Sequence, residues 1–164
     1  MKKMLALATA ASFLLLAGCV KQYQVESAGT PLSTYSTIKV TVDAARFLQT
    51  KEGDKHYDGY VKSCDDMRGV ITGRINNWVA SNFHGTTGGP VANLKITVDD
   101  FYTGSGAARF FLGDAANGHL NVSCTITGGH QFLSHAEIAG VGTDKLEAYW
   151  HVASACNSYI MDHE

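Results

Sequence analysis

Alternation of apolar and polar positions is the dominant pattern along this chain. In "STIKVTVD", Ile38, Val40 and Val42 fall on one face and Lys39, Thr41 and Asp43 on the other, which predicts a strand with one side in a core and one in water. The period recurs in "NLKITVDDF", with Leu94, Ile96 and Val98 inward, in "HLNVSCTIT", with Leu120, Val122, Cys124 and Ile126 inward, and in "QFLSHAEIAG". Two stretches switch to helical spacing. From Ser63, with Asp66 three residues on in a near capping box, a stripe runs through Cys64, Met67, Ile71, Ile75, Trp78 and Phe83 and stops in "HGTTGGP". The second helix can be capped by Thr143, has Asp144 and Glu147 near its positive end, and carries Leu146, Trp150, Ala153, Cys156 and Ile160.

The order β-α-β-β-β-α predicts one α+β domain over residues 35–164, a mixed sheet of about four strands with two helices packed on one face. Residues 44–60 are polar apart from Phe47 and Leu48 and read as a surface loop. The last two strands form a hairpin whose favoured register sets Ile126 opposite Phe132, Val122 opposite Ala136 and Leu120 opposite Ile138. Residues 20–33, "VKQYQVESAGTPLS", lack a sustained period, so residues 19–34 read as a flexible tether with a reach of roughly 20 Å.

Residues 1–18 stand apart. "MKK" is a short cationic head, "MLALATAASFLLL" is an apolar run too short to span a bilayer comfortably, and "LAGC" follows. Leu16, Ala17, Gly18 and Cys19 resemble the lipobox of bacterial lipoproteins, in which small residues before the cysteine admit the processing peptidase. The resemblance implies that Cys19 becomes a lipidated first residue, with enough acyl chains for stable membrane anchoring. Val20 stands where lipoproteins retained in the inner membrane typically show Asp, which favours the outer membrane, facing the periplasm in preference to the cell surface.

Removing residues 1–18 leaves 146 of 164 residues, enough for a single core. Lys2 and Lys3 go with the signal, leaving 11 basic against 15 acidic residues, net −4, and no basic block, so nucleic acid is not an expected partner. Candidate chemistry is sparse. Asp65–Asp66 and Asp99–Asp100 are adjacent carboxylates, but neighbours on a strand face opposite ways and neighbours on a helix diverge by about 100°, so neither pair forms an acid/base couple alone. The seven histidines show no H-x-H, H-E-x-x-H or Cys/His spacing that would fix a metal, and no G-x-S-x-G elbow is present. No cofactor or catalytic residue is expected, and an enzyme is the least favoured class.

Three cysteines remain after Cys19. Cys64 opens one helix and Cys156 lies late in the other, whereas Cys124 lies inward on a strand nearer Cys156. The expected bridge is therefore Cys124–Cys156, worth about 3–4 kcal/mol in the chain-entropy model, the alternative being three buried thiols.

The stretch "TGSGAARFFLGDAANG" reads G-x-G-x-x-R and is broken by Gly113 before any helix long enough to seat a pyrophosphate, so it is not a dinucleotide loop. It reads instead as a glycine-framed docking element with Arg109 and one of Phe110 or Phe111 as anchors. The alternative is that both rings cap the core and Arg109 pairs with Asp99, Asp100 or Asp114. Gly104 or Gly106, Arg109 and Gly113 also roughly follow, with the first glycine one residue out of step, the strand, G-x-x-x-R-x-x-x-G, strand, turn, strand half of an uncharacterised group of small proteobacterial outer-membrane lipoproteins, which this chain resembles over about residues 35–160. That resemblance implies an accessory, assembly or docking module for another envelope protein and brings no catalytic residue. A binding module for an envelope glycan, peptide or secreted effector is the second expectation. The lipobox generates the first test: Cys19→Ala is expected to leave an unprocessed precursor and to abolish labelling by a palmitate analogue, and labelling that survives the substitution refutes the anchor.

Overall fold

In the computed structural model, residues 23–103, 118–138 and 145–164 are described. The fold is α+β with one mixed sheet, as the alternation predicts, but among the described residues the sheet has five strands and three α-helices accompany it. In chain order they are β1 (Gln24–Ser27), β2 (Thr37–Asp43), α1 (Ala45–Thr50), α2 (Tyr57–Asn82), β3 (Val91–Tyr102), β4 (Gly118–Ile126), β5 (His130–Ile138) and α3 (Lys145–Asp162). The sheet runs β1-β5-β4-β3-β2. Strands β2 and β3 are parallel, joined by the crossover through α1 and α2, and the other neighbours are antiparallel.

The inward side chains of the alternating runs form the core floor: Ile38 and Val42, Leu94, Ile96 and Val98, then Leu120, Val122, Cys124 and Ile126, then Phe132, Ala136 and Ile138. Met67, Ile71 and Ile75 of α2 and Val152, Ala153, Cys156 and Ile160 of α3 close the core on the same face. Trp150, expected inside, is 44% exposed, its ring lying under the Arg74 guanidinium 4.8 Å away on the neighbouring helix. On the opposite face no described helix packs, and most side chains there are polar, among them Lys39, Thr41, Asn93, Lys95, Thr125 and Gln131.

Residues 44–60 are not a loop. The Asp43 carboxylate accepts the Ala45 N–H at 3.0 Å and starts α1, which buries Phe47 edge-on against Tyr60 and Phe101. α2 then begins at Tyr57, six residues before the expected Ser63. The hairpin turn is Thr127–Gly128–Gly129, with both glycines at positive φ, and the register is Ile126↔His130, Cys124↔Phe132 and Leu120↔Ala136. This is two residues tighter than expected. A shift of two preserves every face, so the inward set stands while the partners change.

The expected tether is also part of the fold. β1 adds to β5 through Gln24↔Leu133, Val25↔Phe132 and Ser27↔Gln131, and Leu32, fully buried, donates its N–H to the His163 carbonyl at 2.8 Å. Tyr23 is 7% exposed, packs edge-on against Phe132 and Tyr159, and bonds the Asp162 carboxylate. His130, 1% exposed, binds this segment from the hairpin: Nε2 lies 2.6 Å from the Thr30 carbonyl and Nδ1 3.0 Å from the Tyr159 hydroxyl. Burial of a few well-spaced side chains fixes a segment whose sequence carries no period. Leu32→Ala is accordingly expected to destabilise the domain by about 2–5 kcal/mol in denaturant unfolding, where a tether residue would be neutral.

Candidate functional site

The early start of α2 places its first turns beside the ends of β3 and α3. There His56, Gly59, Tyr60, Ser63, Tyr102, Thr103 and Lys145 line a cleft of about 460 Å³. Lys145 Nζ donates to Ser63 Oγ at 2.9 Å, and Ser63 Oγ in turn donates to the Gly59 carbonyl at 2.8 Å. The Tyr149 hydroxyl donates to the Ser63 carbonyl at 3.2 Å. A serine with a lysine beside it invites a nucleophilic reading, but that needs a neutral amine accepting the hydroxyl proton. Here the hydroxyl proton goes to a backbone carbonyl and the ammonium is the donor, so the contact ties α2 to α3. The cleft presents a cation, an imidazole and two phenol rings, a lining suited to holding a polar or anionic group.

A second surface follows the outer edge of β2, which no other described strand pairs. The Thr127 N–H reaches the Asn93 carbonyl at 3.1 Å, and the Asn93 N–H reaches Thr127 Oγ1 at 2.9 Å, so Asn93 serves β4. Alternation assigns Ala92, Leu94 and Ile96 to β2, which leaves the backbone groups of Ile38, Val40 and Val42 at the open edge. Arg68 Nε caps the Val42 carbonyl at 3.4 Å. Between this edge and α2 runs a groove of about 630 Å³, with Gly69, Thr72, Gly73 and Asn76 on its helical wall.

The carboxylate pairs are dispersed among partners. Asp65 bonds Arg68 at 2.7 Å and Asp66 bonds Lys62 at 3.1 Å, both exposed pairs within one helix. Asp99 and Asp100 do not diverge as ordinary strand neighbours would, because a register shift between Val98 and Asp100 interrupts the pleat. Asp99 accepts from Ser123 at 3.1 Å and Asp100 lies 2.8 Å from His119 Nε2, whose hydrogen bond holds the Asp100 carboxyl below its ordinary range. Lys95 does the same for Asp43 at 2.8 Å. No group of three or more His, Cys, Asp or Glu able to share a metal occurs among the described residues, and no helix among them is long and apolar enough to cross a membrane.

Cys19, Arg109, Phe110 and Phe111 lie outside the described residues. The three other cysteines are buried free thiols. Cys124 and Cys156 meet: Phe132, the cross-strand partner of Cys124, stacks on Tyr159 at 4.0 Å, one turn beyond Cys156, and the two thiols share a hydrogen bond. That bond and burial push the Cys124 thiol well above its ordinary range. Cys64 stands apart, and burial pushes its thiol up to about 11.

No family model matches the chain, and no curated protein matches it. Among solved structures the chain is similar to a PelC dodecamer from Paraburkholderia phytofirmans at 7% identity and a TM-score of 0.44, over 85% of this chain and 94% of that one. The cysteine geometry yields a direct test. Oxidation during refolding is expected to join Cys124 to Cys156 and leave Cys64 free in non-reducing peptide mapping, and a bridge containing Cys64 contradicts it.

Proposed function

We propose that this chain is a lipid-anchored module of the outer membrane that docks another envelope protein. The observation carrying the reading is "LAGC" at residues 16–19, with only residues 20–22 between Cys19 and the buried Tyr23. A folded domain on so short a link is held at a membrane in a restricted set of orientations, which suits a docking part. The state of the polar groups supports binding over catalysis. Ser63 and Lys145 are bonded to one another, and His130 is committed at both ring nitrogens to Thr30 and Tyr159. The groove beside β2 is the surface best suited to a protein partner, since an extended segment could meet the free backbone groups of the edge strand.

The cleft at His56, Tyr60, Tyr102 and Lys145 favours a second reading, a binding module for a glycan, peptide or other polar ligand, because its volume lies within the usual range for ligand sites. Photocrosslinking in cells separates the two. With the photoreactive residue at Thr41 or Asn76, the docking reading expects one discrete envelope-protein adduct that disappears when Val40→Pro disrupts the edge. Adducts only from a probe at Tyr60, or none from the groove, sink it.

A further inference from the structure

Resting on that lipid-anchor reading, we propose that the edge of the sheet that carries β1 is the membrane-facing side of the domain, with β2 the edge turned away from the bilayer. Residues 20–22 separate Cys19 from Tyr23, and a chain extends at most about 3.3–3.6 Å per residue, so the acylated residue lies within about 14 Å of Tyr23. Tyr23 itself does not swing. Its ring is wedged 5.8 Å from that of Phe132 and 5.1 Å from that of Tyr159, and its hydroxyl is held by Asp162. Because β1 runs antiparallel to β5 through Gln24↔Leu133, the chain before Tyr23 departs on the side of residues 134–138, the part of β5 beyond its pairing with β1.

The acyl chains must sit in hydrocarbon, and the folded domain must stay on one side of the bilayer plane. That plane therefore passes close to the surface around Tyr23. The far edge, β2, is four strand spacings away, about 19 Å. The near edge has a fitting chemistry. Val25 and Leu133, 42% and 38% exposed, flank the point where the chain leaves, and neither β1 nor β5 contains a lysine or arginine. The contact is thus held by acyl chains and apolar side chains, and a zwitterionic phospholipid surface is its partner.

The experiment uses the full acylated chain in zwitterionic phospholipid vesicles carrying headgroup-attached energy acceptors. A donor dye is placed on a cysteine introduced at Glu26→Cys or Lys39→Cys, with the native thiols shielded by burial. Energy transfer from position 26 is expected to be several-fold stronger than from position 39, and high salt should leave that contrast unchanged. Equal transfer, or stronger transfer from position 39, overturns the orientation while leaving the anchor intact. A chain that fails to remain with the vesicles overturns the anchor and the orientation together. Inserting a long Gly–Ser segment after Val20 should collapse the contrast without releasing the protein. A contrast that survives the insertion refutes the short link as its cause.

Discussion

His130 makes the contact on which the closure of this domain depends. The Thr30 carbonyl can only accept, so its 2.6 Å contact assigns the ring proton to Nε2 and leaves Nδ1 an acceptor, reached by the Gly29 N–H at 3.3 Å and lying 3.0 Å from the Tyr159 hydroxyl, which also reaches the Ser27 carbonyl at 3.1 Å. One side chain thereby joins the N-terminal segment, the β4–β5 turn and the C-terminal helix. Around it Phe132, Tyr159 and His163 stack with ring centroids 4.0 Å apart, and burial raises the Tyr159 phenol to about 12. The arrangement has no slack. A buried ring with both nitrogens engaged can be replaced only by withdrawing its hydrogen bonds from the Thr30 carbonyl and the Gly29 N–H, and that loss exceeds the worth of one surface hydrogen bond.

With the segment from Tyr23 to Leu32 and the C-terminal helix gathered at that point, the remaining surfaces acquire distinct characters. Helices cover one face of the sheet. The other carries a polar ladder whose members bond one another, Asp43 with Lys95, Asp99 with Ser123 and Asp100 with His119. The two sheet edges also differ. β1 closes one side with a short strand, whereas β2 leaves alternate backbone groups exposed beside the glycine-bearing wall of α2. A methyl group added at Gly69 or Gly73 would meet nothing within 4 Å. Internal packing therefore does not require either glycine, although each weakens the helix by about 1 kcal/mol relative to alanine.

The strands were legible in the sequence because a half-buried strand writes a period of two into its side chains. That pattern survives even where the hairpin register moves by two residues. What could not be read was set by single distant contacts. "QVES" is a short edge strand with no buried side chain, and its place follows from Tyr23 and Leu32, which flank it without a pattern. The first turns of α2, "YDGYVK", lack a stripe and are fixed by the packing of Tyr60 on Phe47. Trp150 fits the apolar stripe, yet its outward pose depends on Arg74 from another helix. The cleft was equally hidden, since Ser63 and Lys145 are 82 residues apart. Cys124 meets Cys156 because an inward strand position faces the apolar stripe of α3, whereas Cys64, expected to open its helix, lies seven residues inside α2.

The pairing of β1 with β5 and of Tyr23 with Asp162 also governs when the domain can close. Those contacts span most of the chain, 139 residues for the tyrosine and its carboxylate. A polypeptide delivered amino end first has no β5 to receive β1, and no α3 to receive Tyr23, until nearly all of it has arrived. The strands and helices between them can assemble earlier, because β2, α1, α2 and β3 are consecutive. Residues ahead of Leu32 consequently remain an open chain through most of delivery. Any enzyme that cuts or modifies the segment before Tyr23 meets it unfolded, and the last step of folding then draws the modified end against the finished sheet.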